Sequence, residues 1–257
     1  MKINKKTIII YIIILCVSLI MCWDYVRMHW ANDTYAIYDW GYYEYGTKIF
    51  LKNGRPFSCL LLIIAEIFNL KIEILVKIST ILGICISSAS VMLIRKIICN
   101  FKPPKNNLDE FKIIVISYCT IYNFMYIDIL YFAEACILAT GVFFSIFAAY
   151  KLVLSSKHKI IKSFFYLLIA VFCYNGIVGV YIVSVVLLLL LQNNTFSKNL
   201  KYILITVVLI ITTIILNFIQ IKLVSNLFNF SQNTRLSSNI IYNILFILKN
   251  ARKNFNE

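Results

Sequence analysis

Apolar residues fall in long, nearly unbroken blocks at 7–23, 78–94, 113–127, 133–150, 160–173, 177–191 and 202–221, with short polar and charged stretches between them. A helix needs about 20 apolar residues to cross a bilayer, and fewer where the bilayer thins. The pattern predicts an all-α, polytopic integral membrane protein with about seven transmembrane helices. Residues 160–191 as one helix would reach about 48 Å, too long for a hydrocarbon core of about 30 Å. A tight turn is therefore expected at "YNG", Tyr174 to Gly176, because Asn-Gly is a strong turn signal. The run "PFSCLLLIIAEIFNL", 56–70, carries Glu66 in the middle of its apolar stretch "LLLIIAEIFNL". A central carboxylate costs about 2.5–3.5 kcal/mol on insertion scales, so an interfacial helix is expected there. No repeat or linker divides the chain. One helical membrane domain is expected over 1–224, with a loop at 24–77. A polar, Asn-rich tail follows over 225–257, whose apolar patch "IIYNILFIL" (240–248) is too short to span and reads as a surface segment or the stump of a longer chain.

Composition agrees with lipid as the solvent: 61% of the 257 residues are apolar, against roughly 45–50% in soluble domains. The formal charge of +14 could suggest nucleic acid, but the lysines sit between apolar blocks and not along one face. No nucleic-acid partner is expected. With a cytoplasmic N-terminus and a non-crossing 56–70 helix, 14 of the 25 basic residues fall inside, in 1–6, 95–112, 151–162 and 198–201. Most acids, including Asp33, Asp39, Glu44, Asp128 and Glu134, then fall outside. Lys and Arg in short loops set orientation, so loop 24–77 is expected on the extracytoplasmic face of a cell membrane. The basic start followed by an apolar run resembles a signal peptide but has no small-x-small cleavage site, and an uncleaved first span is expected. The 8 cysteines show no CxxC spacing, and 2 histidines argue against a His-built metal site or triad.

The first loop is where candidate chemistry concentrates. Between Trp23 and Phe50 lie ten aromatics, including all 3 tryptophans, together with Asp24, Asp33, Asp39 and Glu44. Trp and Tyr settle at headgroup level, but carboxylates are not needed for anchoring. Rings beside acids also suit a sugar, whose C–H faces pack on aromatics such as Trp40 while its hydroxyls donate to carboxylates. Asp33 is the leading candidate for a general base; otherwise it is a solvated acid or the N-cap of a helix starting near Thr34. Asp39 and Glu44 rank second and otherwise read as helix-surface charge. Arg55, in "NGRP", is placed to grip a phosphate or to anchor the 56–70 helix at the headgroups. Asp128 and Glu134, in "YIDILYFAEAC", sit at the outer junction of two spans, as site acids or as wet structural ones.

"ND" at 32–33, an aromatic-rich stretch and then "NGRPFSCLL" at 53–61 resemble the serotype-converting membrane glucosyltransferases, multispan enzymes of the GT-C type. The likeness runs from Met1 to about Leu191. "FCYNGIVGVY", 172–181, is similar to that family's Tyr-Gln span end, with Asn175 after Tyr174. The resemblance implies a hexose such as glucose, carried on polyprenyl phosphate and transferred outside the membrane to a cell-envelope polysaccharide or lipid acceptor. It also implies Asp33 as the catalytic acid and Arg55 as support for the donor phosphate, with Tyr174 and Asn175 at the binding site. Thr34 stands where the family has a second acid, and 35–38, "YAIY", lacks its basic residue. Such enzymes also continue for further spans, so a shortened or inactive member is an alternative reading. A transporter or flippase component for lipid-linked precursors is another. No Walker loop, HExxH or GxSxG is present. The outer acids are oxygen ligands of the type a divalent cation takes.

Overall fold

The computed structural model describes residues 5–27, 29–155, 157–192 and 194–227, and the described residues are all-helical. Helix α1 (Lys5–Met21) and the short α2 (Trp23–Val26) lead into an insert. The insert comprises α3 (Asn32–Trp40), α4 (Tyr42–Tyr45), a π-helical turn at Gly46–Leu51, and α5 (Pro56–Ile67). The bundle resumes with α6 (Ile72–Phe101), α7 (Asn107–Ile121) and α8 (Phe124–Ile127), then a 3₁₀ turn at Asp128–Tyr131 and α9 (Ala135–Leu154). Last come α10 (Lys159–Cys173), a 3₁₀ turn at Asn175–Ile177, α11 (Val178–Leu191) and α12 (Phe196–Leu227).

Three helices, α6, α9 and α12, are long and apolar enough to cross a membrane. Their 30, 20 and 32 residues extend about 45, 30 and 48 Å at 1.5 Å per residue. The other apolar helices expected to span are shorter, with 17 residues in α1, 15 in α7 and α10, and 14 in α11. Much of the outward surface is apolar, including Ile20 on α1, Leu190 on α11 and Val208 on α12. Large contiguous apolar surface is rare on water-soluble monomers and suits contact with lipid. The break expected at Tyr174 is present: α10 ends at Cys173, Tyr174 is extended, and the helix restarts through the 3₁₀ turn. The expected 56–70 helix forms as α5, with Pro56 in its first turn, where the missing N–H leaves no bond unmade. Of the expected tail, 228–257, including the 240–248 patch, lies outside the described residues.

Helix α9 is the axis of the bundle and packs against α6, α10 and α11. Small residues permit the approach, with Ala135, Ala139, Ala148 and Ala149 of α9 and Ser79, Gly83 and Ser87 of α6 all buried. A Cβ at Gly83 would stand 3.3 Å from the Ala135 backbone, so the two helices nearly touch there. Close contact through small residues is a usual way for helices to associate without a hydrophobic driving force. The buried serines of α6 find partners within the helix and on its neighbours. Ser87 bonds to the Gly83 carbonyl and to Tyr126 Oη, and Ser88 to Tyr122 Oη. At one end of the bundle, Glu110 of α7 binds both Lys6 of α1 and Arg95 of α6. The insert has its own apolar core, built from Ile37, Tyr45, Phe50, Cys59, Leu62 and Ala65, which closes on Leu75, Val76 and Ala133. A second, larger core fills the bundle. The candidate site lies at the seam between them.

Candidate functional site

Backbone geometry fixes the polar loop first. Gly41, at φ +83°, separates α3 from α4, and Gly54, at φ +75°, ends the π-helical turn. Left-handed φ of this kind suits glycine and is costly for most other residues. Asn217 of α12 donates from Nδ2 to the Gly54 carbonyl at 2.8 Å, and a Cβ at Gly54 would come within 2.4 Å of Asn217 Oδ1. Asn175 Nδ2 donates to the Asn53 carbonyl and Gln220 Nε2 to the Leu51 carbonyl, each at 3.4 Å. Three side-chain amides, two from α12 and one from the turn before α11, thus hold the carbonyls of the segment that delivers Arg55.

Arg55 projects across the seam. Its guanidinium lies 4.4 Å from the Tyr174 ring centroid and 6.0 Å from that of Phe50, within range of cation–π attraction. Nη1 approaches Glu134 Oε1 at 3.5 Å. Glu134 occupies the N-cap position of α9 without a side-chain capping bond; it is fully buried, and neither carboxylate oxygen has a hydrogen-bond partner. Burial first, and then the nearby Asp33 carboxylate, raise its carboxyl while Arg55 lowers it, and the balance holds it at about 7.

Asp33 sits in the first turn of α3 and is half-buried. It is not the N-cap: Ala31 holds that position, and no side chain caps the helix. Asp33 Oδ1 instead accepts a hydrogen bond from the Tyr45 hydroxyl at 2.7 Å. Burial, and next the bond to Asp33, raise the Tyr45 hydroxyl well above its ordinary range, so it stays a donor. Phe50 and Trp40 pack edge-on against the Tyr45 ring at 5.1 and 6.1 Å, which fixes the donor in place.

These groups head one cavity of about 1000 Å³. Asp33, Arg55, Asp128, Glu134 and Tyr174 line its polar end. Its length is mostly apolar, following Leu138, Val142 and Ile146 down α9 and Val180, Val183 and Leu187 down α11, with Ser184 among them, as far as Ile94 and Ile97 of α6. From Glu134 to Ile146 the lining residues recur every fourth position, one stripe of helix about 18 Å long. The shape suits an amphiphile with a small charged head and a hydrocarbon tail.

No protein-family model, curated protein or solved structure matches this chain. The site's chemistry therefore rests on its own geometry.

Four other residues singled out from sequence lie elsewhere. Asp39 is exposed on α3 and does not line the cavity. Glu44 pairs with Lys48 one turn on, at 2.9 Å, as surface charge. Trp40 contributes through the Tyr45 ring, and Asn175 by tethering Asn53. The exposed Asp128 joins the cavity from the 3₁₀ turn after α8. Among the described residues, no group of three or more His, Cys, Asp or Glu side chains is placed to hold a metal ion. Tyr45 is not among the residues the sequence singles out, and neither is Asn217, whose partner is the loop carbonyl of Gly54.

Proposed function

We propose that this chain is a membrane glycosyltransferase that moves a hexose from a polyprenyl-phosphate carrier to a cell-envelope polysaccharide or lipid acceptor. In this reading it is a multi-pass protein with a cytoplasmic N-terminus. α1, α7, α10 and α11 cross with α6, α9 and α12, and the insert 24–77 faces outward. The observation that carries the reading is the single cavity with Asp33, Arg55 and Glu134 at one end and mostly hydrocarbon side chains along the rest. A carrier with a phosphate head and an isoprenoid tail matches both ends at once. The resemblance of 32–33 and 53–61 to the serotype-converting glucosyltransferases points the same way.

In the proposed reaction, the acceptor hydroxyl gives its proton to the Asp33 carboxylate as its oxygen attacks the anomeric carbon of the donor. The new C–O bond forms as the bond from that carbon to the phosphate oxygen breaks. The carrier leaves as polyprenyl phosphate, and its extra negative charge develops beside Arg55. The Tyr45 hydroxyl holds one oxygen of Asp33 and leaves the other for the acceptor proton. Asp33→Asn, purified in detergent and supplied with a polyprenyl-phosphate hexose, should form no product while inserting in the membrane at the wild-type level. Full transfer by that variant would remove Asp33 from the reaction.

A further inference from the structure

Glu134 holds two buried carboxylate oxygens, neither with a hydrogen-bond donor, at the head of the cavity. Its one counter-charge is Arg55, at 3.5 Å. Among the described residues lining the cavity, Arg55 is the single cation, against the three acids Asp33, Asp128 and Glu134. An anionic headgroup entering this end must take Arg55, and doing so leaves Glu134 a buried anion beside a second anion. That arrangement is costly in a low-dielectric site, and a proton on one of the two groups relieves it. A phosphodiester does not accept a proton near neutral pH, so the proton goes to the protein.

We propose that Glu134 and Arg55 couple the binding of a lipid phosphodiester to the uptake of one proton, carried by Glu134. This deepens the proposed function and rests on its reading of the cavity as a site for a lipid-linked phosphate. Arg55 turns its guanidinium from Glu134 to the phosphate, and the protonated Glu134 offers its O–H to a ligand oxygen instead of repelling it. Other groups face Glu134 from the neighbouring elements. Asp33 on α3 repels its charge, Tyr45 on α4 stays a neutral donor to Asp33, and Cys136 lies in the first turn of α9. Asp33 already has a hydrogen-bond donor for its anion, whereas Glu134 has none, so the proton falls on Glu134. Burial already holds the unliganded Glu134 carboxyl at about 7, which places the transition within reach of ordinary buffers.

The test uses the full chain in detergent micelles and farnesyl methyl phosphate, a diester that remains a monoanion throughout. Titration calorimetry in two buffers of different ionisation enthalpy should report uptake of about half a proton per ligand bound at about pH 7, rising toward one at about pH 8. Affinity should be greatest at about pH 6 and should fall by up to about tenfold per pH unit as the pH rises through and above neutrality. Glu134→Gln, isosteric and permanently neutral, should bind with an affinity that does not change with pH. Binding to wild type with no proton uptake and a flat pH profile would overturn the coupling while leaving the lipid-phosphate reading in place. The same pH dependence in Glu134→Gln would assign the proton elsewhere and also overturn it. No binding at any pH would remove the lipid-phosphate reading itself, and the coupling with it.

Discussion

Arg55 and Glu134 meet at 3.5 Å across the seam between the insert and the helical bundle, and the carboxylate is the buried partner. Arg55 arrives from the loop before α5, and Glu134 from the first residue ahead of α9. Breaking a buried pair by removing one partner generally costs far more than the intact pair contributes. The contact therefore ties the placement of the insert to the protonation state of one carboxyl.

Stability should register that state. The folded-state pKa of Glu134 is about 7, above its ordinary value of 4.5, so between these values the folded chain binds more protons than the unfolded chain. Stability contributed through this group is greatest at low pH and is lost as pH rises from about 4.5 to about 7. Glu134→Gln should remove this loss. The variant's thermal midpoint in detergent should exceed that of wild type by several degrees at about pH 8, and by less at about pH 5. Equal displacement at both pH values would show that Glu134 carries the same charge throughout.

Tyr45→Phe removes the one hydrogen bond that orients Asp33 and leaves the ring packing on Phe50 intact. Bonds to charged groups contribute about 1.5–3 kcal/mol, so kcat for sugar transfer should fall roughly 10- to 100-fold. KM for the lipid donor should change little. Steady-state kinetics on both substrates separate these effects, and an unchanged kcat would leave Tyr45 a packing residue alone.

The helices were largely legible from the sequence, and the site only in part. Long apolar blocks and the Asn-Gly turn at 175–176 specify local backbone choices, and these appear in α6, α9, α12 and the break after Cys173. Arg55 was legible for a similar reason: Gly before it and Pro after it dictate a turn followed by a helix start. The short span lengths were less legible, because apolar composition does not say where a helix ends. Capping geometry does that, as Asn106 shows at the start of α7 by accepting from the Asp109 N–H. Residue pairing across the fold was not legible at all. Tyr45 looks like one more ring in a tyrosine-rich loop, and nothing local says that its hydroxyl meets Asp33. Asn217 did carry a signal, since an amide within an apolar helix must find a partner. The choice of that partner depends on where α12 lies in three dimensions.

The contact of Gly54 with Asn217 should behave as a unit. Gly54→Ala must adopt φ +75° with a side chain and drive its Cβ against Asn217 Oδ1 at 2.4 Å. The backbone strain alone is of order 1–3 kcal/mol, and the clash displaces the loop carrying Arg55. Transfer activity should fall at least about tenfold in Gly54→Ala. Asn217→Ala loses only the tether and should be milder. The double variant should be more active than Gly54→Ala, because the clash is gone and only the strain remains. Strictly additive losses would show that the two residues act separately.

Orientation is the prediction on which the catalytic reading most depends, because a donor presented outside the cell cannot be used by a site facing in. The Lys6, Arg95 and Glu110 cluster and the Asp33, Arg55 and Glu134 cluster are built from different ends of the helices. α6 carries Arg95 toward its C-terminal end, whereas its N-terminal end follows the insert. The basic loops should stay with the cytoplasm. Cysteines introduced at the exposed positions Tyr43, in the insert, and Lys105, between α6 and α7, test this in intact cells with a membrane-impermeant maleimide. The wild-type chain provides the background for its own 8 cysteines. Tyr43→Cys should label from outside, and Lys105→Cys only after the membrane is opened. The opposite pattern would put Asp33 in the cytosol and end the proposal of extracytoplasmic transfer, since an α6 that crosses the membrane cannot leave both loops on one side.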